Sequence, residues 1–434
     1  NQIFDIRGLA YFRDNLYTSY VDIIYSPSIQ LTHFSQSSLR HALSADGSVL
    51  LVSYGKSVYV YKHRKQVYTS TFDSEEEIVS TYGLRYDYYK SLGNAVAISG
   101  DAKRYVVAYA FTNGPKLYVY DMNMDFTLKE ENTLNVPIEY NTKHIHNVCM
   151  SMDGNTILIS GGIYYGGYAH VYHYENGLWS EPISLSSSIV PYYGTDSCLS
   201  GDGKTIAVFG GSSVSTGVGC VWKFNHFTQN WEFIQTLSTD FVISKRISPC
   251  SMSHDGYTLL VTAPDDNKWV VFEYDEDNRR FGKTLMEFTP HDQVGSYFMT
   301  PGSISGDGKT VVFAENDTTA EARVRVHIFT RNNSDDTFGL SKTIETSNNM
   351  LFDLRSPSNV LNVLVSFDGG VVMLGSTSNR YIGENIVTHI NGKKNTNITR
   401  VPFDYMNVRS NYTHLDYNNF GEPDWDTTLY ETNT

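Results

Sequence analysis

An all-β fold is predicted by three observations. A hairpin phrase returns about every 54 residues, with its acid at Asp46, Asp101, Asp153, Asp202, Asp255, Asp307 and Asp368. The stretches around each copy alternate apolar and polar residues at the two-residue period of a strand. No segment of ten or more residues carries a capped 3.6-residue period. Seven copies at one period demand a repeat architecture. With four strands per copy, the prediction is a seven-bladed β-propeller of four-stranded antiparallel blades.

The phrase is clearest at Leu199-Ser200-Gly201-Asp202-Gly203-Lys204-Thr205-Ile206-Ala207-Val208. It reads as strand, tight reversal, strand, with Asp-Gly supplying the positive φ of a two-residue turn. In the first repeat Ala42–Ser44 is strand a and Val49–Val52 is strand b. Ser57–Tyr61 is strand c and Val67–Thr71 is strand d. Strand c recurs at Lys116–Tyr120, Ala169–His173, Cys220–Phe224, Trp269–Glu273, Arg325–Phe329 and Asn385–His389. Its alternating aromatic and β-branched residues suit a strand packed on both faces.

The ends differ from the middle. Residues 21–34 read like strands c and d, whereas the last repeat has no clear strand d after Ile390. The N-terminal stretch is therefore expected to finish the last blade and close the ring, giving a propeller over residues 1–390. Residues 391–434 form an irregular C-terminal extension expected to dock on the propeller or on a neighbour.

Composition narrows the function. A net charge of −14 excludes nucleic acid as the main partner and argues against an anionic membrane. No 18-residue apolar run spans a bilayer. The chain opens on Asn1 instead of Met, and four N-glycosylation sequons stand at Asn316, Asn332, Asn397 and Asn411 in loop-like stretches. Secretion or surface exposure is expected. The thiols of Cys149, Cys198 and Cys250 occupy equivalent positions before their repeat Asp, and Cys220 lies two strands beyond Cys198. These spacings predict buried thiols filling a narrow core instead of disulfides.

The phrase Leu92-Gly93-Asn94-Ala95-Val96-Ala97-Ile98-Ser99-Gly100-Asp101 resembles the FG-GAP repeat of integrin-α-like propellers. Tyr193-Gly194, Leu260-Val261-Thr262-Ala263-Pro264 and Ser303-Ile304-Ser305-Gly306-Asp307-Gly308 carry the same resemblance, over roughly residues 40–390. It implies a surface interaction module, and it implies calcium where an acidic loop wraps an ion. The ligand-like runs are Asp121, Asn123 and Asp125; Asp265 and Asp266; and Asp275 and Asp277. The competing reading of each is a solvated turn, and no cofactor is expected otherwise. His144-Ile145-His146 with Cys149 offers a zinc-like spacing that lacks a fourth ligand.

No Gly-x-Ser-x-Gly elbow, phosphate loop or His-Glu-x-x-His occurs. The tyrosine-rich connections are the binding candidates: Tyr86, Tyr88 and Tyr89; Tyr164, Tyr165 and Tyr168; and Tyr192 and Tyr193. Tyr pairs an apolar face with a hydroxyl, which suits protein or glycan surfaces. The expected function is non-enzymatic, a structural or interaction module that assembles with copies of itself or other subunits. A lectin-like propeller is the alternative, ahead of a hydrolase or lyase at the channel mouth.

Overall fold

In the computed structural model the chain is an all-β propeller of four-stranded antiparallel blades. Described are residues 3–6, 9–12, 20–25, 40–54, 57–62, 65–71, 95–111, 114–137, 145–163, 166–186, 194, 196–210, 218–238, 250–263, 268–288, 297–299, 302–317, 324–332, 336–346, 361–376 and 384–389.

Six blades are each cut from one continuous stretch. The first runs Arg40–Leu43, Val49–Tyr54, Ser57–Lys62 and Lys65–Thr71. The second runs Ala95–Ile98, Arg104–Phe111, Gly114–Met122 and Leu128–Asn135. The third runs Ile145–Met150, Thr156–Ile163 and Gly166–Glu175, with its outer strand split into Leu178–Trp179 and Ile183–Ser184. The split spans Pro182, which has no N–H to give a ladder and is tolerated on an outer strand. The fourth blade is Asp196–Leu199, Thr205–Gly210, Val218–Asn225 and Asn230–Ser238. The fifth is Cys250–Met252, Thr258–Ala263, Lys268–Asp275 and Arg280–Phe288. The sixth carries a split inner strand, Tyr297–Met299 and Ser303–Ile304, then Thr310–Asp317, Val324–Arg331 and Phe338–Thr346.

The seventh repeat does not make a blade of its own. Its strands Leu361–Val365, Val371–Ser376 and Glu384–His389 share a six-stranded sheet with Tyr20–Tyr25, Leu9–Phe12 and Ile3–Ile6. Tyr20–Tyr25 pairs antiparallel with Glu384–His389 in the register Val21 to Thr388 and Tyr25 to Glu384. Seven blades were expected, the last finished by residues 21–34; six single-stretch blades and one composite six-stranded sheet are observed. The reason is that the last repeat supplies only three strands, and the N-terminus supplies three more instead of one.

Period-two alternation divides each sheet between its neighbours. On Arg104–Phe111, Tyr105, Val107, Tyr109 and Phe111 pack toward the first blade with Leu51, Val58 and Val60. Val106, Ala108 and Ala110 pack toward the third blade with Ile157 and Ile159. Leu50, Val52, Tyr59 and Tyr61 meet Val371 and Met373 of the composite sheet. Strands buried on both faces read as continuous apolar runs, which is why Val106, Val107 and Ala108 all have 0% exposure. The outer strand Leu128–Asn135 is mostly exposed and carries Lys129, Glu130 and Glu131, charges that blunt an open edge.

The reversal differs from the two-residue turn expected. In the first repeat Gly47 donates its N–H to the Ser44 carbonyl at 3.0 Å, and Ser44 donates to Val49 at 2.9 Å. The two residues inside the tight turn are Ala45 and Asp46, and only the Gly takes positive φ, 71° at Gly47. This is a type I turn followed by a left-handed residue, a longer hairpin loop. The second repeat forces Ala102 into the same conformation, at φ 59°.

Candidate functional site

The repeat Asp serves its own turn. In the fourth repeat the buried Ser200 hydroxyl donates to Asp202 Oδ1 at 2.5 Å and accepts the Thr205 N–H at 2.9 Å. Asp202 Oδ1 also accepts the Lys204 N–H at 3.0 Å. The arrangement repeats with Ser44 and Asp46, Ser99 and Asp101, Ser151 and Asp153, Ser253 and Asp255, Ser305 and Asp307, and Ser366 and Asp368. Burial pushes the Asp46 carboxyl up, but the Ser48 amide and the Ser44 and Ser48 hydroxyls together hold it below the usual range. Each carboxylate is thus committed to hairpin geometry.

The residue between Ser and Asp links the repeats into a ring. Ala45 N–H donates to Gly100, Gly100 to Met152, and Met152 to Gly201. Asp202 then donates to His254, His254 to Gly306, Asp307 to Phe367, and Phe367 back to Ala45 at 2.7 Å. The circuit closes on itself. Its side chains alternate in size around most of the ring: Gly100, Met152, Gly201, His254, Gly306, Phe367. The alternation is steric. A Cβ at Gly201 would meet His254 Nδ1 at 2.5 Å, and one at Gly306 would clash with the edge of the Phe367 ring at Cδ2. His254 and Phe367 meet edge to face at 5.5 Å.

Farther from the axis, side chains clamp successive blades. Lys62 lies over Phe126 at 4.8 Å. Arg104 pairs with Asp121 through Nε and, at 2.8 Å, through one terminal nitrogen. Its other terminal nitrogen donates to the Gly154 carbonyl at 3.0 Å, and its guanidinium lies 4.0 Å from the Tyr174 ring centroid. Trp231 Nε1 donates to His173 Nε2 at 3.1 Å. Lys223 sits 3.5 Å over Tyr274. Arg331 binds Glu273 across the next boundary.

A polar knot lies on the inner strands of the third to fifth blades. Asp196, 1% exposed, accepts Cys250 N–H at 3.0 Å and Cys250 Sγ–H at 3.2 Å through Oδ2. Asn147 Nδ2 reaches Asp196 Oδ1 at 3.3 Å and the Ser197 carbonyl at 2.7 Å, while Cys149 donates to the same carbonyl. Burial pushes the Cys250 thiol well up. None of the four cysteines forms a disulfide; Cys198, Cys220 and Cys250 are buried and Cys149 half-buried. Sequence reasoning placed these thiols in the core but passed over Asp196, whose only signal was an acid inside a strand a.

The predicted sites fare unevenly. Tyr168 is buried, at 9% exposure, and stacks on His170 at 5.3 Å, so it packs the core instead of facing a partner. Tyr86, Tyr88, Tyr89, Tyr164, Tyr165, Tyr192 and Tyr193 lie outside the described residues, as do Asp265, Asp266, Asn397, Asn411 and the 391–434 extension. The run from Asp121 does not converge on one point. Asp121 faces Arg104, while Asn123 and Asp125 both bond Thr127. Asp275 accepts the Asn278 amide and side chain, and Asp277 is exposed beside it. His146 Nε2 bonds the Gly162 carbonyl at 2.7 Å, away from the Cys149 partner. Asn316 stands within strand Thr310–Asp317 instead of a loop, and Asn332 is exposed in the turn after Val324–Arg331.

What sequence reading missed is a set of apolar tips. The c-to-d turns emerge on the same face as the Asp turns, since both close hairpins at one end of an antiparallel blade. Met124, Leu178 and Phe227 stand there on successive blades at 79%, 74% and 99% exposure. Nothing in the repeat grammar flags them: Met124 and Phe227 lie in turns, free of the strand period, and Leu178 opens the two-residue strand Leu178–Trp179.

No family model matches the chain, and no curated protein matches it, so the FG-GAP resemblance rests on its own phrases. Solved structures do match. Hydrazine synthase of Kuenenia stuttgartiensis is similar at 17% identity and a TM-score of 0.51, over 82% of this chain and 98% of that one. This likeness shows the propeller fold. The periplasmic gluconolactonase of Pseudomonas aeruginosa matches at 16% identity and TM-score 0.47, over 78% and 92% of the two chains. The C-terminal WD40 domain of Sif2 matches at 14% and 0.45, over 85% and 99%.

Proposed function

We propose that this protein is a non-enzymatic structural and interaction module displayed outside the cell. It is a seven-bladed ring of the FG-GAP kind, with the composite sheet serving as the seventh blade, and it binds protein surfaces through its Asp-turn face. The observation that carries this reading is the exposure of Met124, Leu178 and Phe227 at equivalent tips of three consecutive blades. Large apolar side chains held exposed on one face favour a protein contact. The hydrogen-bonded circuit beneath them supports a rigid platform, which lowers the ordering cost of binding.

Lysine-directed cross-linking in the protein's native setting tests it. Lys103, Lys129 and Lys204 lie on or beside this face and are expected to join to another polypeptide. Cross-links confined within one chain would refute the reading. Display outside the cell is tested at Asn332, where a glycan is expected on expression through a secretory pathway. Asn332→Gln should then remove one glycosidase-sensitive mass step, and an unmodified Asn332 would count against export.

A further inference from the structure

We infer that His173 is an acid-operated latch on the boundary between the third and fourth blades. Protonating its ring releases Trp231 and loosens that boundary, while the other clamped boundaries hold. The inference goes beyond the interaction-module reading and does not depend on it.

One register position carries the clamps, the residue of strand c that pairs with the first residue of strand b. In the first five blades it is Lys62, Asp121, His173, Lys223 and Glu273. Lys62 reaches Phe126, His173 reaches Trp231, Lys223 reaches Tyr274 and Glu273 reaches Arg331, each on the next blade. Asp121 holds Arg104, which does the reaching in its place. Thr330 and His389 stand at the same register farther along the chain. Lys, Asp and Glu side chains ordinarily keep their charge between pH 5 and 8, whereas an imidazole changes charge within that window. His173 is the imidazole among the side chains described at this position.

The bond geometry needs the neutral ring. An indole N–H only donates, so His173 Nε2, 3.1 Å from Trp231 Nε1, carries a lone pair. The ring proton then sits on Nδ1 and is donated to Thr156 Oγ1 at 3.3 Å. The two rings lie within 13° of parallel with centroids 6.0 Å apart, which brings the indole N–H near the plane of that lone pair. Trp231 shares one apolar cluster with Leu158 and Val171 of the third blade and Leu199 and Ile206 of the fourth. Acid adds a second proton at Nε2 and sets two donors against each other. The hydrogen bond is lost, and a buried donor is left without its acceptor.

The surroundings set the direction. Burial holds the His173 pKa below its ordinary value, against the pull of Glu175 on its own strand and Asp153 in its blade's Asp turn. The fourth blade meets the ring with uncharged Phe224, at 5.3 Å, and Trp231. His226 lies edge-on to Phe224, and Glu232 binds Asn225 beside Trp231. Asp202 and Lys204 flank Gly203, which packs on Thr156. Toward the outer strand, Ser180 accepts the His173 N–H and is followed by Glu181. Arg104 is engaged on Tyr174, Asn155 and Gly154 from the second blade. Neutral His173 therefore stabilises the boundary at higher pH, and that contribution is lost as pH falls through the folded value. Trp231 pairs with Phe224 beside the 225–230 hairpin end, so the latch sets how firmly the fourth hairpin is held against the third blade.

Hydrogen exchange of the full chain at pH 7.5 and pH 5, each corrected for intrinsic rates, tests the latch. Peptides covering residues 166–175 and 224–238 should lose protection roughly fivefold at pH 5. Residues 268–275, at the Lys223–Tyr274 clamp, should keep theirs. His173→Gln keeps an acceptor for the indole and has no proton to gain, so the loss should vanish there. The imidazole C–H resonances of His173 should titrate below ~6.5. Their midpoint should rise toward that value in Trp231→Phe, which keeps an aromatic ring in place and removes the N–H. An equal loss of protection in His173→Gln, or at residues 268–275, would overturn the latch. So would a His173 midpoint unmoved in Trp231→Phe, which decides the matter even where His173→Gln does not fold.

Discussion

Replacing Ser200 by Ala tests the chemistry of the repeat phrase. The Ser200 side chain is 0% exposed as a residue and does two things at once. It accepts the buried Thr205 N–H at 2.9 Å and donates to Asp202 Oδ1 at 2.5 Å. Alanine keeps the volume nearly constant, so the packing term is small. It leaves the Thr205 amide without its acceptor in a dry site, a loss of about 1–3 kcal/mol. Asp202 keeps the Lys204 amide and stays partly solvated, so it adds little. The expected cost is about 2 kcal/mol, or roughly a 30-fold larger opening equilibrium constant at Thr205. Urea unfolding with native-state hydrogen exchange reads both quantities. Ser200→Thr, which keeps the hydroxyl, should recover part of the loss. A Ser200→Ala change below about 0.5 kcal/mol, with Thr205 protection intact, would refute the account, since that is the range of an ordinary surface substitution.

Two further outcomes follow from the blade clamps. Arg104→Met should destabilise by about 3 kcal/mol in chemical denaturation, the low end for stranding one member of a buried pair. Asp121→Asn in the same chain should return part of it, because Asp121 is the residue left unpaired. His173 is held below its ordinary value by burial, against the opposing pull of Glu175 and Asp153. Its folded pKa is depressed, so below the unfolded value near ~6.5 the unfolded chain binds the extra proton first. The stabilisation is present above that pH and is lost as pH falls through the folded value. The Trp231 bond to His173 Nε2 needs the neutral ring. Thermal melts between pH 7.5 and 5 should therefore decline less steeply in His173→Gln than in the wild type.

Much of this fold was legible because the physics repeats. Strand c of the second repeat, Lys116–Tyr120, lies inside the observed Gly114–Met122, and the alternation of Val106 and Val107 assigns each to a different neighbour. The turn chemistry was half legible. Ser and Asp cap the reversal as their types suggest, but the positive φ belongs to Gly47 and its equivalents alone. The residue between them was invisible, since its task is a backbone bond to the next repeat and any side chain of suitable size permits it. Asp196 was hidden for a related reason: its partners, Asn147 and Cys250, sit on other blades about 50 residues away in sequence. Tyr168 misled because a tyrosine near a turn looks like a contact residue, while the strand register turns its ring into the core. Met124, Leu178 and Phe227 carry no periodic signal, and only their shared place on the hairpins brings them to one face.

The circuit of turn-to-turn bonds is the centre of the account, and native-state hydrogen exchange of its donors tests it most directly. The amides of Ala45, Gly100, Met152, Asp202, His254, Asp307 and Phe367 all donate around one closed ring. A closed ring predicts that these seven exchange with a common, high protection and lose it together as urea rises. Exchange at Phe367 and Ala45 more than tenfold faster than at Gly100 and Met152 would contradict closure and leave an open array of blades.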